Sequence, residues 1–153
     1  MKKIKLLRGL ALVLLIADIA YSAYAIKKFL ESKVSAMYYE FQLSMLLIDL
    51  TKYLTIVPVL ILIVLALNKF MRRGYFSTGG ARAIRLAGIL LMLQASLSPI
   101  IHYFTSYAGK DALMIIMFVQ EAMLPLCFGI GLLAIADFII RGNKLKEENQ
   151  LTV

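Results

Sequence analysis

The sequence predicts an all-α membrane protein, an up-down bundle of four transmembrane helices. Three observations carry that expectation. Of the 153 residues, 61% are hydrophobic, and the mean hydropathy is +0.84. Soluble domains sit nearer about 45–50% apolar, and a chain this short has too little interior to hide the excess. The apolar residues also fall into four runs, each close to the roughly 20 residues that cross a bilayer. The connections between most of these runs are short, which makes consecutive helices antiparallel neighbours. The length suits one domain, residues 1–153.

Taken in order, a basic lead from Met1 to Arg8 precedes an apolar run broken only by Asp18. Ala23-Tyr24-Ala25 has the small-x-small form of a signal cleavage site. Asp18 interrupts the apolar region such a signal needs, so the run reads as a first span over about residues 5–28. Residues 27–44 are polar and aromatic, with Tyr38, Tyr39 and Phe41. They read as an interfacial loop or a short helix lying on the membrane. The second span is expected over 45–70. A basic loop follows over 71–80, with Gly74, Gly79 and Gly80 as breakers. The third span covers 81–107 and residues 108–111 form a tight turn. The fourth covers 112–141, interrupted at Glu121, Pro125 and Asp137, and leads into a charged tail over 142–153.

Orientation follows from Lys and Arg. With both termini inside, the inner flanks hold twelve cations: Lys2, Lys3, Lys5 and Arg8, then Lys69, Arg72, Arg73, Arg82 and Arg85, then Arg141, Lys144 and Lys146. The outer flanks hold four, Lys27, Lys28, Lys33 and Lys110. The chain therefore reads as multi-pass in a bacterial plasma membrane, with both ends cytoplasmic. Tyr21, Tyr24, Tyr103 and Tyr107 near one boundary, and Phe70 and Phe76 near the other, suit the aromatic belts at both interfaces.

Ionisable groups inside a membrane are costly and each needs a reason. Helical rise places Asp18 and Gln94 near the middle, roughly 16–18 Å from the inner surface, and Asp49, Lys52, His102 and Glu121 at roughly 25–30 Å. Asp137 falls within about 5 Å of the inner edge. Asp49, three residues before Lys52, shares its helix face, so Lys52 can pair with Asp49 or reach across to Glu121. Either the group is a structural ion pair, or it forms a polar pocket for a small ligand or proton. Asp18 and Gln94 lie on small-residue faces of the first and third spans, so they are expected to meet as polar glue in the bundle centre. Pro58, Pro99 and Pro125 each remove a backbone donor within a span. That places Pro99 and Pro125 beside the polar side chains Gln94 and Glu121.

Several function classes find no support in the residues. His102 is the single histidine and Cys127 the single cysteine, and neither has the spacing of a metal, haem or redox centre. No nucleophile accompanies the acids, so no enzyme is expected and no cofactor is implied. The cations flank apolar spans instead of forming one groove-sized patch, which argues against direct nucleic-acid binding. The inner face carries Arg72, Arg73, Arg82 and Arg85, and the tail adds Arg141, Lys144, Glu147 and Glu148. These residues serve either anchoring to anionic headgroups or docking of a cytoplasmic protein. Self-association of the bundle stays open.

Residues 134–153 read Ala-Ile-Ala-Asp-Phe-Ile-Ile-Arg-Gly-Asn-Lys-Leu-Lys-Glu-Glu-Asn-Gln-Leu-Thr-Val. This stretch resembles the closing signature of bacterial membrane proteins grouped as domain of unknown function 2975. Phe76-Ser77, followed by Ala83, Ile84 and Leu86, is similar to that family's lead into its third helix. The likeness spans the chain in layout and these segments in residues. It implies four helices in the plasma membrane, no established enzyme activity, and a neighbouring gene for a small helix-turn-helix regulator. The expected function is accordingly a non-enzymatic membrane protein that holds such a regulator at its cytoplasmic face. The alternative is a small transporter or ligand-binding bundle using Asp18, Lys52, Gln94 and Glu121. Those intramembrane residues are not part of the family signature, and no family role passes to them.

Overall fold

The computed structural model describes residues 2–31, 36–74, 77–105 and 112–151. Within its helices, the side chains of Asp49, Arg73 and His102 fall outside the description, as does the turn expected at 108–111. Four α-helices make up the described chain: α1 (Lys2–Glu31), α2 (Ala36–Arg73), α3 (Thr78–Thr105) and α4 (Ala112–Leu151). Each holds a stretch long and apolar enough to cross a membrane: Lys3–Lys28, Leu50–Arg72, Thr78–Ile101 and Val119–Gln150. The expected fold class is what the structure shows.

Paired residues run in opposite directions between successive helices. Arg8 meets Asn68 while Tyr21 meets Tyr53. Arg85 meets Asp137 while Gly88 meets Gly129. The packing is sequential: α1 lies on α2, α2 on α3 and α3 on α4. Among the described residues the backbone of α1 comes close to that of α2 alone, so the four helices form an open array and the ring does not close.

The buried positions are mostly small. Ala66, Ala81, Ala87 and Ala136 are fully enclosed, and no large side chain among the described residues is. Large apolar groups point outward instead, with Leu6, Ile16 and Phe138 about two-thirds or more exposed (68%, 67% and 74%). Water would penalise that arrangement. In lipid it is favourable, because outward tails cost nothing there and association depends on close backbone approach. The tightest approach is between α3 and α4. A Cβ built on Gly88 would lie 2.8 Å from the Gly129 carbonyl oxygen, and one on Gly129 2.9 Å from that of Gly88. Only residues without a side chain fit that crossing.

At the end of the array that holds residues 2 and 151, Ile4, Ala66, Phe70 and Ala83 pack together. The end of α2 and the start of α3 are built for this. Gly74 takes a left-handed conformation (φ +88°) and its N–H donates to the Phe70 carbonyl at 3.0 Å, closing α2. Ser77 caps α3: its carbonyl accepts from Gly80 and Ala81, and its hydroxyl accepts from Gly80 N–H at 3.4 Å. The Phe70 ring then lies over Gly80, where an added Cβ would collide with the ring edge.

Three expectations need correction. Residues 36–44 are neither a loop nor a separate surface helix; they are the first turns of α2, and α1 likewise continues past the span to Glu31. Gly79 and Gly80 do not break a helix; they form the opening turn of α3, where Ser77 supplies the hydrogen bonds that a glycine pair weakens. Residues 142–151 are helical, a direct continuation of α4. None of Pro58, Pro99 and Pro125 ends its helix.

Candidate functional site

The polar groups of the spans separate into three places. The first lies among α2, α3 and α4, where there is a half-open hollow of about 250 Å³. From α2, Lys52 and Ile56 reach it; from α3, Gln94, Ala95 and Ser98; from α4, Glu121, Ala122, Leu124 and Pro125. Lys52 Nζ donates to Glu121 Oε2 at 3.1 Å. This pair links two helices whose backbones do not otherwise pack together, so it bridges across α3. Gln94 contributes an Oε1 atom that is shielded from solvent and accepts no hydrogen bond among the described residues. A rise of 1.5 Å per residue puts Gln94 roughly 14 Å, and Glu121 roughly 24 Å, along the array from the Arg85–Asp137 pair. The space therefore sits in the half distal to the chain ends. Its walls combine one cation, one carboxylate, an amide, a hydroxyl and an apolar lining.

Of the two partners open to Lys52 in the sequence, the described side chains show Glu121. Asp49 lies in α2, with its side chain outside the description. The depth argument that grouped Lys52 with Glu121 therefore agrees with the geometry. Pro99 lies one position beyond Ser98, and Pro125 lines the cavity itself, so both fall beside the polar groups as their spacing implied.

The second place is Asp18 on α1. Its Oδ2 atom is shielded and accepts no hydrogen bond among the described residues, while its backbone carbonyl accepts from the Ser22 hydroxyl at 2.7 Å. The expected meeting of Asp18 with Gln94 does not occur. The two share a depth, but the α1 backbone lies beside α2 and not beside α3, and no hydrogen bond joins them. One turn further along α1, the Tyr21 ring rests against Tyr53, centroids 5.7 Å apart.

The third place is the end that carries residues 2 and 151. Arg85 Nη2 donates to Asp137 Oδ1 at 2.7 Å, tying the start of α3 to α4. Sequence reasoning assigned Arg85 to docking and missed this pair, although both residues were placed at the same membrane edge. Arg8 Nη1 donates to Asn68 Oδ1 at 3.1 Å and fastens α1 to α2 in the same zone. Arg72, Arg82 and Arg141 are exposed. Beyond them, Asn143 donates to Glu147 at 2.6 Å, and Lys144 lies 3.8 Å from Glu148, all one turn apart on the exposed end of α4. Arg73 belongs to the last turn of α2, with its side chain outside the description.

A larger hollow of about 660 Å³ runs along one side of α4, past Cys127, Phe128, Gly131 and Ile135. Its lining comes from α4 alone and is mostly apolar, with Gln120 the one amide among the residues that line it. Among the described residues no group of three His, Cys, Asp or Glu side chains is placed to hold a metal ion. Comparison with known proteins gives no match to a family model, to a curated protein or to a solved structure.

Proposed function

We propose that this chain is a non-enzymatic protein of the bacterial plasma membrane, with both ends cytoplasmic, that holds a small helix-turn-helix transcription regulator on the exposed end of α4. The observation that carries this reading is that α4 does not stop at the membrane edge. Its last ten residues, 142–151, continue as a charged helix, exposed over 144–150, roughly 15 Å long. Intrahelical pairs hold that helix straight while leaving its sides open. The Arg85–Asp137 pair fixes its base. A DNA-binding regulator presents a basic surface to phosphates, and Glu147 and Glu148 offer that surface a competing acidic partner. Arg72, Arg82 and Arg141 would meanwhile rest on anionic headgroups. The resemblance of residues 134–153 to domain of unknown function 2975 supports the same assignment.

The test is co-purification, from membranes, of a helix-turn-helix protein encoded beside this chain, as the resemblance implies, with and without residues 142–153. Loss of capture on truncation, and on the double reversal Glu147→Lys with Glu148→Lys, is the expected result. Unchanged capture by the truncated chain removes the tail from the mechanism.

A second reading, a ligand-binding or transporting bundle, is favoured by one specific observation: the polar space that collects Lys52, Gln94 and Glu121.

A further inference from the structure

We infer that the half-open hollow between α2, α3 and α4 seats the phosphate and glycerol esters of one phospholipid, from the leaflet distal to the chain ends. This inference rests on the second reading above, for which it names the ligand, and is independent of regulator docking.

Depth is the first observation. Lys52 and Glu121 lie roughly 24 Å along the array from the Arg85–Asp137 pair, and Asp137 itself within about 5 Å of the inner edge. The hydrocarbon layer is about 30 Å thick, so Lys52 stands at its far boundary. Ser98 comes out roughly 5 Å deeper and Gln94 roughly 10 Å deeper. A phospholipid orders its polar parts the same way, with phosphate outermost, ester carbonyls below it and chains below those.

Unspent hydrogen bonding is the second. An ammonium has three N–H donors, and Lys52 gives one of them to Glu121 at 3.1 Å. The Lys52 side chain is 30% exposed and that of Glu121 58%, so the ammonium is open to a phosphate at its own level and the ion pair stays in place. Glu121 has a further interaction besides Lys52, and nothing in the seat requires displacing it. Deeper in, the hydroxyls of Ser22, Thr55 and Ser96 each bond a carbonyl four residues earlier, the usual resting place of a hydroxyl inside a helix. Ser98 makes no such bond, and its hydroxyl has no partner among the described residues. Gln94 resembles it: its Oε1 is shielded and accepts nothing among the described residues, so no bond fixes the amide, which is free to turn its NH2 group to an incoming acceptor. Unpaired polar groups in apolar surroundings are costly. Ester carbonyls, which accept and cannot donate, relieve both.

Size and shape separate a lipid from a small solute. About 250 Å³ is the volume of about eight waters of liquid, enough for a phosphate and its glycerol and too little for two acyl chains. The hollow is half-open, and Leu124 lines both it and the larger hollow along α4, so a chain leaving the seat meets a mostly apolar face. A fatty acid brings one carboxylate and answers Lys52 alone. A free phosphate leaves Ser98 and Gln94 without acceptors below.

The experiment uses the full chain in detergent micelles and counts bound molecules by native mass spectrometry. The probes are dioleoyl phosphatidylethanolamine, which adds no net charge beside Glu121; dioleoylglycerol, the same chains without the phosphate; and glycerophosphoethanolamine, the same head without the chains. Saturable retention of one phosphatidylethanolamine per chain is expected, about tenfold or more tighter than either fragment. Lys52→Gln should weaken it about tenfold. Because that change also breaks the ion pair, Ser98→Leu is the second variant: it fills the hollow, leaves the pair intact, and should keep the lipid-free Tm while losing retention. Lys28→Gln, which removes an exposed cation at the distal end of α1, should change nothing. Dioleoylglycerol held as well as the phospholipid overturns the phosphate contact, and glycerophosphoethanolamine held as well overturns the lipid; both results leave the ligand-binding reading standing. Retention that survives Ser98→Leu, or that falls as far in Lys28→Gln as in Lys52→Gln, places binding elsewhere and overturns the assignment. No retention of any of the three overturns both this seat and the second reading.

Discussion

Replacing Gly129 by alanine tests the packing of the array at its tightest point. The added methyl would lie 2.7 Å from Met92 Cγ, 2.9 Å from the Gly88 carbonyl oxygen and 3.2 Å from the Met92 backbone nitrogen. Carbon contacts are optimal at about 3.5–4.0 Å. Met92 is flexible and its side chain can swing aside at small cost. The Gly88 oxygen and the Met92 nitrogen belong to the α3 backbone and move only if α3 moves. The helices must then part by several tenths of an ångström. A gap of about 0.5 Å forfeits about a quarter of each dispersion contact along the crossing. In a membrane those contacts carry most of the association, since lipid removes the hydrophobic contribution. Overpacking of this kind costs about 1–3 kcal/mol.

Alanine also improves helix propensity over glycine by about 0.5–1 kcal/mol, which would mask part of that loss. Gly131 provides the control, because a Cβ there meets nothing within 4 Å. The propensity gain is common to both sites, so the stability of Gly131→Ala minus that of Gly129→Ala isolates the strain, about 1–3 kcal/mol. The assay is SDS-driven unfolding in mixed micelles, read by energy transfer between dyes on cysteines at Thr78 and Lys146, both exposed, in a Cys127→Ser background. Gly88→Ala should behave like Gly129→Ala. The double variant should lose less than the sum, because one separation accommodates both methyls. Equal stabilities for Gly129→Ala and Gly131→Ala would refute the reasoning outright.

Further outcomes follow from the ends of the array. Ser77→Ala should cost about 1 kcal/mol through the lost α3 cap, and Gly74→Ala about as much or somewhat more, since its backbone is left-handed; the same unfolding assay reads both. The Arg85–Asp137 pair is half-exposed on each side and should show a coupling of about 0.2–1 kcal/mol in a double-mutant cycle, fading as salt rises. Cysteines placed at Lys3 and Lys146 should both label from the same side of sealed vesicles with a membrane-impermeant maleimide, and labelling from opposite sides would contradict four antiparallel spans.

The spans were legible because hydropathy measures what faces lipid, and here nearly every large apolar residue does. Helix ends were less legible for the same reason. Residues 142–151 are polar, so hydropathy assigned them to a tail, yet Lys, Leu, Glu and Gln are good helix formers, and pairs one turn apart support the continuation. Nothing at Arg141 requires a helix to stop when it leaves the bilayer. Gly79 and Gly80 show the opposite error. Composition marks them as breakers, while the structure uses the missing side chain of Gly80 under Phe70 and sets Gly79 against the Lys69 side chain. Depth along the normal was recoverable by counting residues, which brought Lys52 to Glu121. Neighbour order around the array was not, because depth says nothing about which helices touch.

Asp18 shows what that missing dimension decides. Were it glue to Gln94, replacing it would loosen the array. In the structure Asp18 Oδ2 is shielded and accepts nothing among the described residues, and α1 is held instead by Arg8–Asn68, Tyr21–Tyr53 and the packing of Ile4. A shielded polar group with no partner costs about 1–3 kcal/mol, so Asp18→Val, close in shape, should leave stability unchanged or raise it. Arg8→Ala should instead release the end of α1, lowering stability by about 0.5–1.5 kcal/mol for the lost hydrogen bond. The two variants separate the alternatives when measured by energy transfer between α1 and α2. A loss above about 1 kcal/mol in Asp18→Val, the size of a hydrogen bond to a real partner, would mean that Asp18 is bonded within the folded protein after all, and the open array would have to give way to one in which α1 closes onto α3.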